Sequence, residues 1–249
     1  LLVQYGNYLS QLLQGDLGPS FKYVDRSVNE LLGGGFAVSA TVGGLALIVA
    51  VLIGVFAGSL AALRRNRATD YTVMSIAMIG VSIPGLVMAP LLILLLAVKL
   101  SWLPAGGWQG LSPAHLVMPV IVLALPMIAY VARITRGSMV EVLSSNYIRT
   151  AKAKGLPMSL VIRRHALKPA LLPVVSFLGP AAAGILTGSL VVERIFTLPG
   201  MGGYFVDGAI NRDYFLVMGG VVFYGCIIIL FNLIVDLLYA WLDPRTRLA

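Results

Sequence analysis

Residues 36–63, FAVSATVGGLALIVAVLIGVFAGSLAAL, carry no charged side chain. About 20 mostly apolar residues rising 1.5 Å each are enough to cross the hydrocarbon of a bilayer, so this stretch reads as a spanning helix. Four others pass the same test, at 71–98, 113–132, 174–192 and 215–242. The first two and the last exceed the hydrocarbon thickness, which tilt or extension into the interface accommodates. Small residues recur at helix-packing spacing, Gly54 with Gly58 and Gly184 with Gly188, and predict close helix approach. Pro84, Pro90, Pro119, Pro126 and Pro180 fall inside apolar stretches, where a missing N–H interrupts the ladder and frees carbonyls for a cavity or a neighbour. Kinked spans around Pro84 and Pro90 are candidates for lining a path, with packing as the alternative. The expected fold is all-α, a polytopic membrane helix bundle with five spanning helices.

The rest of the composition agrees. Of 249 residues 59% are hydrophobic and only 11% charged, whereas a soluble domain is roughly a quarter charged. The net charge of +8 admits nucleic acid or an anionic surface as partner, and the placement of the charges decides between them. Arg64, Arg65 and Arg67 follow the first span and place that loop inside, because short cytoplasmic loops retain Lys and Arg. The next loop has Lys99 with Trp102 and Trp108 as interfacial anchors and belongs outside. The basic residues from Arg133 to Lys168 mark an inside segment, 193–214 is mixed in sign and outside, and Arg245 with Arg247 puts the C-terminus inside. Residues 1–35, turn-rich at QGDLGPSF and LLGGG, read as an extracytoplasmic loop segment, and 36–249 as the transmembrane domain. An odd number of spans with an external start, and a beginning Leu-Leu-Val without a signal peptide, lead to the expectation of a further helix before residue 1.

Several chemistries lack their residues. No Gly-Lys dipeptide occurs, so the phosphate-cradling loop of an ATPase is missing. His115 and His165 are far apart and no carboxylate cluster accompanies them, so neither a catalytic nor a metal site is read; His165 reads as a solvated or helix-end residue. Cys226 is the single cysteine. Asp236 is the one acid within a span, one turn after Asn232 on the same face, and reads as a hydrogen-bonded structural group in preference to a proton relay.

The basic segment at about 141–173 contains NYIRTAKAKGLPMSLVIRRHALKPALLP, residues 146–173. Leu143, Tyr147 and Ala151 lie at i, i+4 and i+8, with Ser145, Arg149 and Lys152 on the opposite arc. Lys154 breaks the pattern, so the helix ends there with Gly155 as a left-handed cap. Pro157 suits the first turn of a second helix, which Pro169 and Pro173 end. Such a basic elbow serves as a lipid-surface helix or a docking knob for a soluble partner; nucleic acid is disfavoured because no aromatic stacking pattern accompanies the charge.

The wording of this segment resembles the cytoplasmic-loop signature of permease subunits of ATP-binding-cassette importers, in the peptide and nickel permease branch. Arg149, Thr150 and Ala151 stand where the general signature has Glu-Ala-Ala before the glycine, and Leu172-Pro173 comes later than its spacing. GDLGPSFKYVDRSVNELL, ERIFTLPGMGGYFVDGAINRDYF and VDLLYAWLDPRTR extend the resemblance over nearly the whole chain. Phe215 stands where many dipeptide-type relatives carry proline. The resemblance implies a type I importer permease fold with six spans in the family, and a non-enzymatic subunit carrying oligopeptides across the bacterial inner membrane. Its implied partners are a homologous second permease, two ATP-binding subunits, an extracytoplasmic peptide-binding protein and membrane lipid, with no nucleic acid. ATP and Mg are expected on the ATPases and no cofactor on this chain. Arg149, Thr150, Ala151, Lys152, Ala153, Lys154, Gly155 and Leu156 are implied as the helix that couples to the ATPase. A self-sufficient channel or ion-coupled carrier is the alternative, distinguished by peptide flux through the isolated chain; a non-transporting scaffold predicts no nucleotide-dependent uptake with every partner present.

Overall fold

The computed structural model describes residues 2–242. The described residues are helical, with an isolated antiparallel bridge between Pro19 and Ser27. In chain order the helices are α1 (Leu2–Leu13), α2 (Val28–Leu63), α3 (Ala68–Ser82), α4 (Gly85–Leu92) running on as a π-helical Ile93–Lys99, and α5 (Pro113–Leu143). They continue with α6 (Asn146–Ala153), α7 (Met158–Leu160), a π-helical Val161–Ala166, α8 (Leu167–Ala170), α9 (Leu172–Leu186), α10 (Leu190–Ile195), α11 (Met201–Ile210) and α12 (Tyr214–Leu242). Among the described residues four segments are long and apolar enough to cross a membrane, α2, α5, α9 with α10, and α12, and a fifth is gained when α3 and α4 with its π-helical extension count as one broken span.

The stretches expected to span are all helical, but their limits differ. The second is broken at Ile83-Pro84. Pro84 has no N–H to offer the carbonyl of Gly80, so α3 stops and a new helix starts. The chain remains helical through Pro90, Pro119, Pro126 and Pro180, and a π-helical turn follows Pro90. α5 continues past the apolar run to Leu143. α2 begins at Val28, so LLGGG lies inside a helix and not in a turn. Its 36 residues measure about 54 Å, well beyond the hydrocarbon core.

Two compact units divide the chain. One comprises Leu1–Gly44, Gly85–Val120 and Ala183–Ile229, gathering the segments whose charge reads as outside. Its core joins Val28, Leu31 and Leu32 to Met201 and Leu216, with Phe36 and Phe223 edge to face at 5.2 Å between ring centroids. Gly35 faces Met201 so closely that a Cβ there would stand 3.0 Å from the Met201 backbone; the glycine serves helix contact. Phe215 packs on Gly18, Tyr8 and Phe21, which gives it a structural role.

The other unit comprises Leu45–Pro84, Ile121–Ala182 and Leu230–Ala249. Here Gly54 and Gly58 meet α5 directly, and Cβ atoms would stand 2.7 Å from Val131 Cβ and Thr135 Cβ respectively. Ala57, Ala77, Ala129 and Ala132 continue this small-residue seam, which is how helices gain contact where lipid removes the hydrophobic drive. The second small pair behaves otherwise. Gly184 has no neighbour within 4 Å of a built Cβ, and Gly188 lies beyond α9 at φ +105°, against Glu193.

Candidate functional site

α5 ends at Leu143, where Ser144 and Ser145 turn the chain by donating backbone N–H groups to Glu141 and Val142 carbonyls. Both serine hydroxyls donate back to the same carbonyls, at 2.7 and 2.6 Å, so neither caps the next helix. α6 therefore starts afresh at Asn146, with the Arg149 N–H reaching the Ser145 carbonyl at 3.2 Å. This restart changes the expected face. Leu143 belongs to α5, Tyr147 is 47% exposed, and the buried stripe is Ile148 with Ala151.

Eight residues are too few to hold an isolated helix in water. Tertiary burial supplies the missing stability: Ile148 is fully buried among Ala62, Met139, Val161, Ala166 and Ala170, worth about 1.5–3 kcal/mol. At the other end Lys154 closes the helix and Gly155 takes φ +75°. The Gly155 N–H donates to the Lys152 carbonyl at 2.9 Å and the Leu156 N–H to the Ala151 carbonyl at 3.4 Å. This is a Schellman cap, completed by Leu156 packing on the cluster that contains Ala151. Pro157 then sits at the N-cap of α7, one position earlier than expected, with φ −63° and ψ 142°. The second helix ends at Ala170, and Pro173 lies in the first turn of α9. His165 is half-buried in the intervening π-helical turn.

All eight residues named from the sequence thus share one helix and its cap. Ala151 and Leu156 face inward, whereas Arg149, Thr150, Lys152, Ala153, Lys154 and Gly155 are exposed. Arg149 is steadied by its own helix through Asn146 Oδ1, and Thr150 Oγ1 donates to the Asn146 carbonyl at 3.1 Å. Among the described residues no carboxylate pairs with Arg149, Lys152 or Lys154. The elbow is a rigid cationic knob, suited to an acidic groove.

The buried acids were not found from the sequence. Asp236 is exposed; the fold buries Asp70, Glu193 and Asp213 instead. Asp70 accepts two bonds from Arg136, at 2.6 and 2.7 Å, and the Asn66 N–H at 2.9 Å. Glu193 accepts the Ser39 hydroxyl at 2.6 Å and the Gly202 N–H at 3.0 Å, and Gly188 and Gly200 make room for it. Asp213 caps α12 through Oδ1 to the Leu216 N–H at 3.1 Å, while Oδ2 accepts Ser20 Oγ at 2.5 Å and the Phe21 and Lys22 N–H groups at 2.9 and 3.1 Å. Burial works against the Asp213 charge, but these bonds outweigh it and hold the carboxyl below the usual aspartate range. Asp207 is likewise lowered: burial opposes, and the Arg194 bond and charge with Lys22 at 3.8 Å prevail. Burial and the Asp207 carboxylate push the Tyr23 phenol up. One signal was available: Asp immediately before the apolar run of α12 is an N-cap pattern. Among the described residues no group of three or more His, Cys, Asp or Glu converges.

Residues 34–248 match the family described as binding-protein-dependent transport system inner membrane component. The chain is 57% identical over 247 residues to the oligopeptide transport system permease protein OppB of Salmonella typhimurium, covering 99% of this chain and 81% of that one. It is 50% identical over 248 residues to the dipeptide transport system permease protein DppB of Bacillus subtilis, covering 100% and 80%. Among solved structures, an inward-facing MetNI methionine ABC transporter superposes with a TM-score of 0.70 at 19% identity, over 86% of this chain and 96% of that one. The last likeness establishes the fold, that of ABC importer permeases.

Proposed function

The chain belongs to the family of binding-protein-dependent transport system inner membrane components, and from that premise we propose that it is the permease subunit of an importer of oligopeptides, worked by separate ATPase subunits through α6. The oligopeptide class rests on the 57% identity to OppB over nearly the whole chain. A second permease, two ATP-binding chains and an extracytoplasmic peptide-binding protein complete the assembly, with ATP and Mg on the ATPases. The basic loops face the cytoplasm, as does the C-terminus; Arg245 and Arg247 lie outside the described residues.

The observation that supports α6 as the coupling element is its division of labour. One side is anchored by Ile148 and locked by the Schellman cap, and the other presents Arg149, Lys152 and Lys154, which have no carboxylate partner among the described residues. A groove on an ATPase that accepts this knob can pull it as a rigid body, converting domain closure into movement of the spans.

Gly155 provides the test. A Cβ at this position meets nothing within 4 Å, but φ +75° strains any β-branched residue, by about 1–3 kcal/mol, while asparagine tolerates the region. In vesicles holding the whole transporter, Gly155→Val is expected to lower peptide-stimulated ATPase activity and uptake together with normal membrane insertion, and Gly155→Asn to retain both. Wild-type coupling in Gly155→Val would remove α6 from this role.

A further inference from the structure

A cleft of about 540 Å³ runs along α3 in the second unit, lined by Tyr71, Met74, Ser75, Met78, Ser82 and, from α5, Arg133. Its size is that of a ligand pocket, about 300–1,000 Å³. The α3 residues recur at i, i+3, i+4, i+7 and i+11, one face of a helix. The two ends differ in electrical sign. At one end Asp70 binds Arg136 through both carboxylate oxygens, which neutralises that guanidinium. Arg133 is exposed, lies over the Tyr130 ring at 5.3 Å, and makes no ion pair among the described residues. It is left as a free cation. At the other end α3 stops before Pro84, which brings no N–H to the Gly80 carbonyl. The negative end of the helix dipole lies there, beside Ser82.

The middle is chemically permissive. Ser75 and Ser82 are exposed hydroxyls, Ser82 Oγ donating at 2.9 Å to the Met78 carbonyl and keeping its lone pairs free. Met74 and Met78 are unbranched and adapt to side chains of different shape. From Asp70 to Ser82 the helix rises about 18 Å, the span of about five residues of extended chain.

We propose that this cleft is a transit site for the cargo peptide, which lies extended along α3 with its terminal carboxylate on Arg133 and its terminal ammonium at the carbonyl end near Ser82. The inference rests on the reading of the chain as a peptide permease and adds polarity and length to it. Arg133 recognises the one anionic group common to free peptides, the hydroxyls serve the backbone, and the methionines accept varied side chains. Because Arg133 lies beside the basic loops, the peptide enters carboxylate first. A lipid in the same cleft would set the Ser75 hydroxyl against hydrocarbon and leave Arg133 to its headgroup alone.

The experiment uses the complete transporter in vesicles, on a Cys226→Ser background because Cys226 is exposed. Ser75→Cys and Ser82→Cys are treated with a membrane-impermeant maleimide with and without a saturating pentapeptide. Labelling that the pentapeptide blocks is expected. Arg133→Gln is expected to raise the KM for free-carboxylate pentapeptides by about tenfold or more, to leave the KM of their C-terminal amides unchanged, and Arg133→Lys to restore part of the loss. Peptide affinity of the binding protein, measured alone, separates that step. Thiols that label in no state, as beneath a partner subunit, overturn the proposal, as do thiols that label only with a lipid-soluble reagent, or equal losses for acid and amide. In those cases peptide import by the wild-type transporter leaves the permease reading standing; absence of import from the wild-type assembly removes that reading itself.

Discussion

Replacing Asp213 by asparagine tests whether one carboxylate ties the N-terminal segment to the last spanning helix. Asp213 is fully buried, with one oxygen on the Leu216 N–H and the other on Ser20, Phe21 and Lys22. Asparagine keeps one acceptor oxygen and turns two N–H donors towards groups that are themselves donors. A hydrogen bond to a charged partner contributes about 1.5–3 kcal/mol. Losing the Oδ2 set, partly offset by water reaching the freed amides, costs about 2–3 kcal/mol. That raises the opening equilibrium of this contact about 30- to 140-fold. Amide exchange by mass spectrometry in nanodiscs, read on the peptide containing Phe21 and Lys22, measures it directly. The pH course follows the sign of the shift. The folded carboxyl lies below its unfolded value, so its stabilisation is complete above the ordinary aspartate range near pH 4 and drains away as pH falls through the lowered value. Protection of Phe21 and Lys22 is expected to be flat from neutral pH to about pH 5, to fall below about pH 4 in the wild type, and to lack this acid step in Asp213→Asn. Unchanged exchange in the variant at neutral pH would refute the clip.

Three other outcomes are expected. Gly58→Val drives a Cβ to within 2.7 Å of Thr135 Cβ and lowers stability by about 1–3 kcal/mol, visible as a lower thermal midpoint in detergent, with Gly58→Ala milder. Arg136→Met strands buried Asp70 and costs about 3 kcal/mol, the low end for a broken buried pair because Arg136 is 30% exposed; the same midpoint recovers most of the loss in Asp70→Asn/Arg136→Met. Ile148→Ala leaves a hole in the cluster under α6, costs about 2–4 kcal/mol, and is expected to raise proteolytic nicking between Ser145 and Pro157 before it affects the spans.

What could be read from the sequence was local in its physics. Gly155 followed by Pro157 spells a left-handed cap and a helix start within three positions, and both exist within one residue of where they were expected. The Gly54–Gly58 pair was legible because i, i+4 spacing alone sets one helix face. The same spacing misled at Gly184–Gly188, since nothing in the sequence says that α9 stops before Gly188 or that Glu193 folds back against it. LLGGG looked like a turn because three glycines weaken a helix; the contact of Gly35 with Met201, far along the chain, overrules that propensity. The inward face of α6 was misplaced for a related reason. Ser144 and Ser145 bond back to α5, the helix restarts, and the register moves from Tyr147 to Ile148. The acids Asp70, Glu193 and Asp213 stayed hidden because their partners lie up to 193 positions away.

The glycine seam on α2 also sets a timetable. Gly54 leaves the ribosome roughly 80 residues before its partner Val131, an interval of about 4–15 s at ordinary rates of synthesis. For that time α2 resides in lipid with its contact face vacant. A seam built from polar side chains would seek other partners during the delay, whereas glycine offers only backbone already satisfied within its own helix. The seam is silent until α5 arrives, and so resists mispairing in the newborn chain.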